Sequence, residues 1–136
     1  MNFNWPLIND NITEDDKQAL VEFILTENVR LTQGEKVKDF EKKWSDWLGV
    51  KHSVFVNSGA SGNLIMSAVV RDLAGQCEVI VPPLGWVSDI SPLTNLGLVP
   101  VFVDIDMSSL AITAENISNA ITEKTKAVVL VHAPGS

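Results

Sequence analysis

Ser53-Val-Phe-Val-Asn-Ser-Gly-Ala-Ser-Gly-Asn63 is an apolar run that breaks into a small-residue turn just ahead of a helical pattern. Val54, Phe55 and Val56 favour extended backbone, whereas Ser58, Gly59, Ala60, Ser61 and Gly62 are too small to shield the backbone behind them. The expected product is a strand, a tight loop and a helix N-terminus, where unpaired N–H groups and the positive end of the helix dipole converge on an anion. The stretch reads as a phosphate cradle. Small residues also form turns for steric reasons alone. The spacing is not Gly-x-Gly-x-x-Gly, and no Lys follows the glycines as a P-loop requires.

Downstream, Leu64, Ile65, Ala68 and Val69 continue a helix to about Ala74, with Gly75 to close it. Glu78 to Val81 is a short strand stopped by Pro82-Pro83, which cannot extend a ladder. A second loop, Leu84-Gly85-Trp86, follows. Trp86, Ile90, Leu93 and Leu96 are spaced for a helix stopping at Gly97, and Pro92 within it predicts a kink or a late start. Val99 to Val103 is the next strand, Thr113 opens a helix through Ile117 and Ile121, and Ala127 to Val131 is the last strand. Strands near 53, 78, 99 and 127, apolar throughout and separated by helix-length connections, predict a three-layer α/β fold: a mostly parallel sheet with helices on both faces. Ligands of such sheets bind at the carboxyl ends of the strands, the edge on which both loops fall.

Upstream, residues 1–12 read as irregular, with Pro6 among several Asn. Thr13, three residues before Asp16, caps a helix whose apolar face is Leu20, Phe23, Ile24 and Leu25 and which ends near Asn28. After a polar connection with Gly34, the residues Val37, Phe40, Trp44, Trp47 and Leu48 form one helical stripe ended by Gly49. Trp44 and Trp47 lie on that stripe and read as core anchors rather than ligand contacts. The chain thus divides into an N-terminal helical segment, 1–49, and a βαβ portion, 50–136.

The 136 residues are 46% hydrophobic and 20% charged, the composition of a globular protein. Seventeen Asp and Glu against ten Lys and Arg give a net charge of −7, which argues against nucleic acid or an anionic membrane as partner. There is no basic leader followed by an apolar stretch and no membrane-length apolar run, so the cytoplasm is the expected compartment. Cys77 is the single cysteine and reads as a buried or idle thiol; with His52 and His132 it makes no zinc pattern or triad. Asp104-x-Asp106 reads as a strand end entering a loop, and no metal is expected. The chain stops at His132-Ala-Pro-Gly-Ser136, where the alternation calls for another helix, so the expectation is the N-terminal portion of a longer protein.

Taken together, these segments resemble the N-terminal part of the DegT/DnrJ/StrS family of pyridoxal-phosphate-dependent sugar aminotransferases, a branch of the fold-type-I aminotransferases. The likeness runs from Leu31-Thr-Gln-Gly34, Phe40-Glu41 and Leu48-Gly-Val50 to Asn57-Ser-Gly-Ala-Ser61. It continues through Val79-Ile-Val-Pro-Pro83 and Trp86-Val-Ser88 to Gly97-Leu-Val-Pro-Val-Phe-Val-Asp104. The resemblance implies pyridoxal 5'-phosphate as cofactor, its phosphate held by the backbone N–H groups of Gly59, Ala60 and Ser61, with the Ser61 hydroxyl as a further donor. Many relatives place Ser or Thr where this chain has Ala60. It further implies that Trp86 stacks on the pyridine ring.

The implied reaction is transamination of a keto group on a nucleotide-linked sugar by an amino-acid donor, in a homodimer whose Leu31 to Gly34 loop reaches toward the partner. None of the eight Lys lies in the Ser-x-x-Lys setting of the family's Schiff-base residue, so no catalytic residue is assigned and the chain alone is expected to be inactive. Asn57 to Leu64 is also similar to the sugar 3-dehydratase branch, which replaces that Lys with His. A third reading, from another class, is a non-catalytic α/β assembly module.

Overall fold

The computed structural model describes residues 11–132, so the segment containing Pro6 and the last residues, 133–136, lie outside the described residues. The chain divides into two compact units, Met1–Phe55 and Val56–Ser136.

The first unit is helical. Helix α1, Glu14–Ile24, starts at the expected cap: Asp16 N–H donates to Thr13 Oγ1, while the Thr13 backbone N–H donates to the Asp16 carboxylate at 2.8 Å. The helix ends earlier than the apolar pattern implied, and Asn28 instead takes a left-handed conformation, φ 57°, which Asn tolerates in a turn. Helix α2, Glu35–Leu48, ends at Gly49, whose φ of 72° is the left-handed cap that favours glycine.

Trp44 and Trp47 are not core anchors, being 45% and 74% exposed. The stripe packs on itself instead: Phe40 stacks on Trp44 at 5.9 Å, Trp44 meets Trp47 at 5.0 Å, and Phe40 takes the edge of Phe55 at 5.4 Å. The one buried residue of α2 is Ser45, whose hydroxyl donates to the Glu41 carbonyl and bonds Ser53 Oγ at 2.9 Å.

The strand expected at residue 53 does not form among the described residues. The Phe55 N–H, which a ladder would use, donates to the Glu41 carboxylate at 2.9 Å, so this segment is tied to α2 by side chains instead of to a neighbouring strand.

The second unit holds a three-stranded parallel sheet of β1 (Glu78–Val81), β2 (Val99–Phe102) and β3 (Thr125–Val128), in the order β2-β1-β3. Its helices are α3 (Gly59–Ala74), α4 (Val87–Asn95) and α5 (Ala114–Ala120). The chain leaves β1 for β2 on one side, then returns past β1 to β3 on the other. Right-handed crossovers leading in opposite directions put α4 and α5 on opposite faces. The burial of β1 agrees, since the consecutive side chains Val79, Ile80 and Val81 point alternately to the two faces and all are out of water. Val79 and Val81 pack with Cys77, Leu93 and Leu98, joined by Val70 of α3 and Ile90 of α4. Each such buried side chain contributes about 2 kcal/mol.

β3 begins and ends earlier than its apolar run, and β1 explains both limits. Glu78 N–H donates to the Lys124 carbonyl at 2.9 Å, and the Glu78 carboxylate accepts from the hydroxyl of Thr122 at 2.6 Å, which starts the pairing before Ala127. Val129 N–H donates to Ile80 at 2.8 Å, and beyond Val81 stands Pro82, which has no N–H to continue the ladder. Among the described residues, no helix is long and apolar enough to cross a membrane.

The Thr13 hydroxyl, then the Thr13 backbone N–H, hold the Asp16 carboxyl below its ordinary value of 3.8. The unfolded chain therefore binds the proton more tightly, so this cap's contribution is present above the ordinary value and is lost as pH falls through the lower folded one. NMR titration should show protection of the α1 amides falling in that acid range, with Thr13→Ala returning the Asp16 midpoint toward 3.8. An Asp16 midpoint that is ordinary before the substitution contradicts the cap.

Candidate functional site

Helix α3 begins five residues before its apolar stripe, because Ser58 caps it. Ser58 is extended, φ −163° and ψ 160°, and its Oγ accepts from the Ser61 N–H at 3.2 Å. Gly59, Ala60 and Ser61 are thus the first three helical residues. The Ser61 N–H is taken by Ser58 and the Gly62 N–H by the Ser58 carbonyl at 3.1 Å. Among the described residues, no hydrogen bond occupies the Gly59 or Ala60 N–H. No acidic residue stands in the first turn to neutralise the positive helix end. The Ser61 hydroxyl donates to Asn57 Oδ1 at 2.6 Å, which holds it at the same turn. A Cβ built at Gly59 meets nothing within 4 Å, so the backbone is uncrowded on that side.

Trp86 caps the N-terminus of α4 and is 78% exposed. Its backbone is fixed by Asp89, whose Oδ2 accepts from the Trp86 N–H at 2.9 Å. Asp89 Oδ1 accepts from Asn63 Nδ2 of α3 at 2.8 Å. Pro92 does not delay the helix start but stands inside α4. Having no N–H, it leaves the Ser88 carbonyl without its helical donor, and Asn63 Nδ2 supplies one at 3.1 Å. The cradle helix and the aromatic turn, both expected from sequence, are joined through this pair. A cleft of about 480 Å³ opens beside Asn63 and Asp89 between Met66, Val70 and Leu93; Gly59, Ala60 and Ser61 are not among its walls.

From sequence Ser58 stood out only as a small loop residue and not as the helix cap, and Asn63 and Asp89 carried no assigned role. An acid three residues after Trp86 is the usual third-position helix signal and could have marked Asp89; nothing local marks Asn63. The Asp104-x-Asp106 carboxylates serve their own loop. Asp104 Oδ1 accepts from the Ile105 N–H, and Asp106 Oδ1 accepts from the N–H groups of Ser108 and Ser109 and from the Ser108 hydroxyl. Those bonds, the Ser108 hydroxyl first, hold the Asp106 carboxyl below the usual carboxylate range. Among the described residues, no group of three His, Cys, Asp or Glu is placed to hold a metal ion. Cys77 is buried in the sheet core.

The sequence profile of the DegT/DnrJ/EryC1/StrS aminotransferase family matches residues 10–136. The chain belongs to this family. It is 38% identical to a GDP-4-keto-6-deoxy-D-mannose 3-dehydratase of Yersinia pseudotuberculosis over 98% of this chain and 35% of that protein. Among solved structures, an E. coli GDP-4-keto-6-deoxy-D-mannose-3-dehydratase with bound hydrated PLP superposes with a TM-score of 0.82 at 32% identity, over 93% of this chain and 33% of that one. Helicobacter pylori PseC, an aminotransferase involved in pseudoaminic acid biosynthesis, superposes with a TM-score of 0.78 at 31% identity, over 90% of this chain and 33% of that one. The chain therefore spans about a third of the length of the family members it matches.

Proposed function

We propose that this chain supplies the phosphate and ring contacts for pyridoxal 5'-phosphate in an enzyme that modifies a nucleotide-linked keto sugar. The observation that carries this reading is the α3 N-terminus, with two unengaged N–H groups, no acid in its first turn and free space beside Gly59, in a family with a solved relative that holds this cofactor. Gly59 and Ala60 direct N–H groups at the phosphate. Ser61 adds its hydroxyl after exchanging the bond to Asn57, and Trp86 lies against the ring. When bound, the cofactor acts as an electron sink that stabilises negative charge next to nitrogen. The contribution of these residues is to bind and orient it.

Transamination is the reaction that the family name describes, and an amino acid is the donor proposed for it. Removal of a hydroxyl is the second reading, and two observations favour it. The Yersinia relative at 38% identity and an E. coli relative at 34% both carry dehydratase names, and Asn57 to Leu64 is similar to that branch.

Gly59→Asp tests the cradle with opposite signs for fold and binding. A carboxylate at the first helical position favours the helix end but repels a phosphate. Equilibrium dialysis should show at least a tenfold loss of pyridoxal phosphate affinity with no fall in thermal midpoint, and unchanged affinity sinks the assignment. Whether these cofactor contacts can serve dehydration is tested by exchanging this chain for the matching third of the Yersinia enzyme, whose other two thirds supply the residue at the Schiff-base position. Loss of a hydroxyl from GDP-4-keto-6-deoxymannose, seen by mass spectrometry, is the expected outcome. A folded, cofactor-loaded hybrid that removes no hydroxyl contradicts that reading.

A further inference from the structure

Asn63 stands four residues after Gly59, about 6 Å along the axis of α3. Asp89 is the third residue of α4. Their side chains meet at 2.8 Å although 26 residues apart in sequence. Asn63 Nδ2 also serves the Ser88 carbonyl, and the second Asp89 oxygen holds the Trp86 N–H. Gly85 completes the arrangement: a Cβ there would stand 2.9 Å from Asp89 Oδ2, so a side chain at this position would push the carboxylate from its present place.

The hydrogen-bond chemistry admits one assignment. Ser88 O and Asp89 Oδ1 both accept, so the group between them must donate; a neutral amide does this and a carboxylate of the same shape cannot. The Trp86 ring, 78% exposed, takes little position from packing. Its place depends on the backbone turn that carries it.

We infer that Asn63 and Asp89 are positioning residues that pin the Trp86 turn to the first turns of α3, so that the ring and the Gly59 and Ala60 N–H groups present themselves to one bound cofactor. This rests on the cofactor reading above. A turn pinned before binding spares the ordering cost that a loose aromatic loop would pay on association.

The test uses the isosteric variants Asn63→Asp and Asp89→Asn and the truncation Asn63→Ala. In the unliganded chain, hydrogen exchange at the Trp86 and Asp89 amides should quicken at least tenfold in each single variant. The β1 amides, Val79 to Val81, should keep their protection. Affinity for pyridoxal phosphate should fall about tenfold.

Two results overturn the inference: unchanged exchange at 86–89 in Asn63→Asp, or equal loss of protection in β1. If Asn63→Asp fails to fold, Asp89→Asn makes the same comparison. Absence of pyridoxal phosphate binding before any substitution overturns the cofactor reading instead, while the exchange pattern still decides whether the pair pins the turn.

Discussion

The enclosure of β1 is the constraint on which the second unit depends. Its two edges are taken by β2 and β3, and its side chains at Val79, Ile80 and Val81 are removed from water on both faces. A strand four residues long can be surrounded in this way only if the chain leaves it on one side and returns on the other, and that path places helices on both faces. Pro82 then ends the ladder at a fixed point, which sets the end of β3 and releases the chain into the Gly85-Trp86 turn at the carboxyl edge of the sheet. The site is where it is because β1 stops where it does.

A second constraint acts above that edge. Pro92 removes a helical donor, and in an isolated helix the orphaned Ser88 carbonyl would turn to water. Here Asn63 takes it, and the same amide group reaches Asp89, which in turn holds Trp86. A feature that reads as a helix defect thus becomes the point at which α4 is attached to α3. The two bonds made by Asn63 are partly buried, where an unmade hydrogen bond is costly, whereas the bond from Trp86 to Asp89 is exposed.

Features decided within a few residues were legible in the sequence. Thr13 and Asp16, Gly49 at φ 72° and the α/β alternation around β1 and β2 all follow from local chemistry, and each stands where it was expected. What depended on distant partners was not legible. Val54 to Val56 have strand composition, but their segment is held by Glu41 and Ser45 of α2 rather than by a ladder. The α2 stripe gave the helix correctly, yet helical spacing cannot tell a stripe that is covered from one whose aromatic rings pack on each other. Within the site, Ser58 to Ser61 and Trp86 stood out as types and spacings, whereas the contact between Asn63 and Asp89 crosses 26 residues and leaves no local mark.

Two loops far apart in sequence acting as a single cradle is the central claim, and an NMR titration with pyridoxal phosphate tests it most directly. The Gly59 and Ala60 amides and the Trp86 indole should all move, along curves described by one dissociation constant. Movement of only one loop, or two loops responding with different constants, contradicts it.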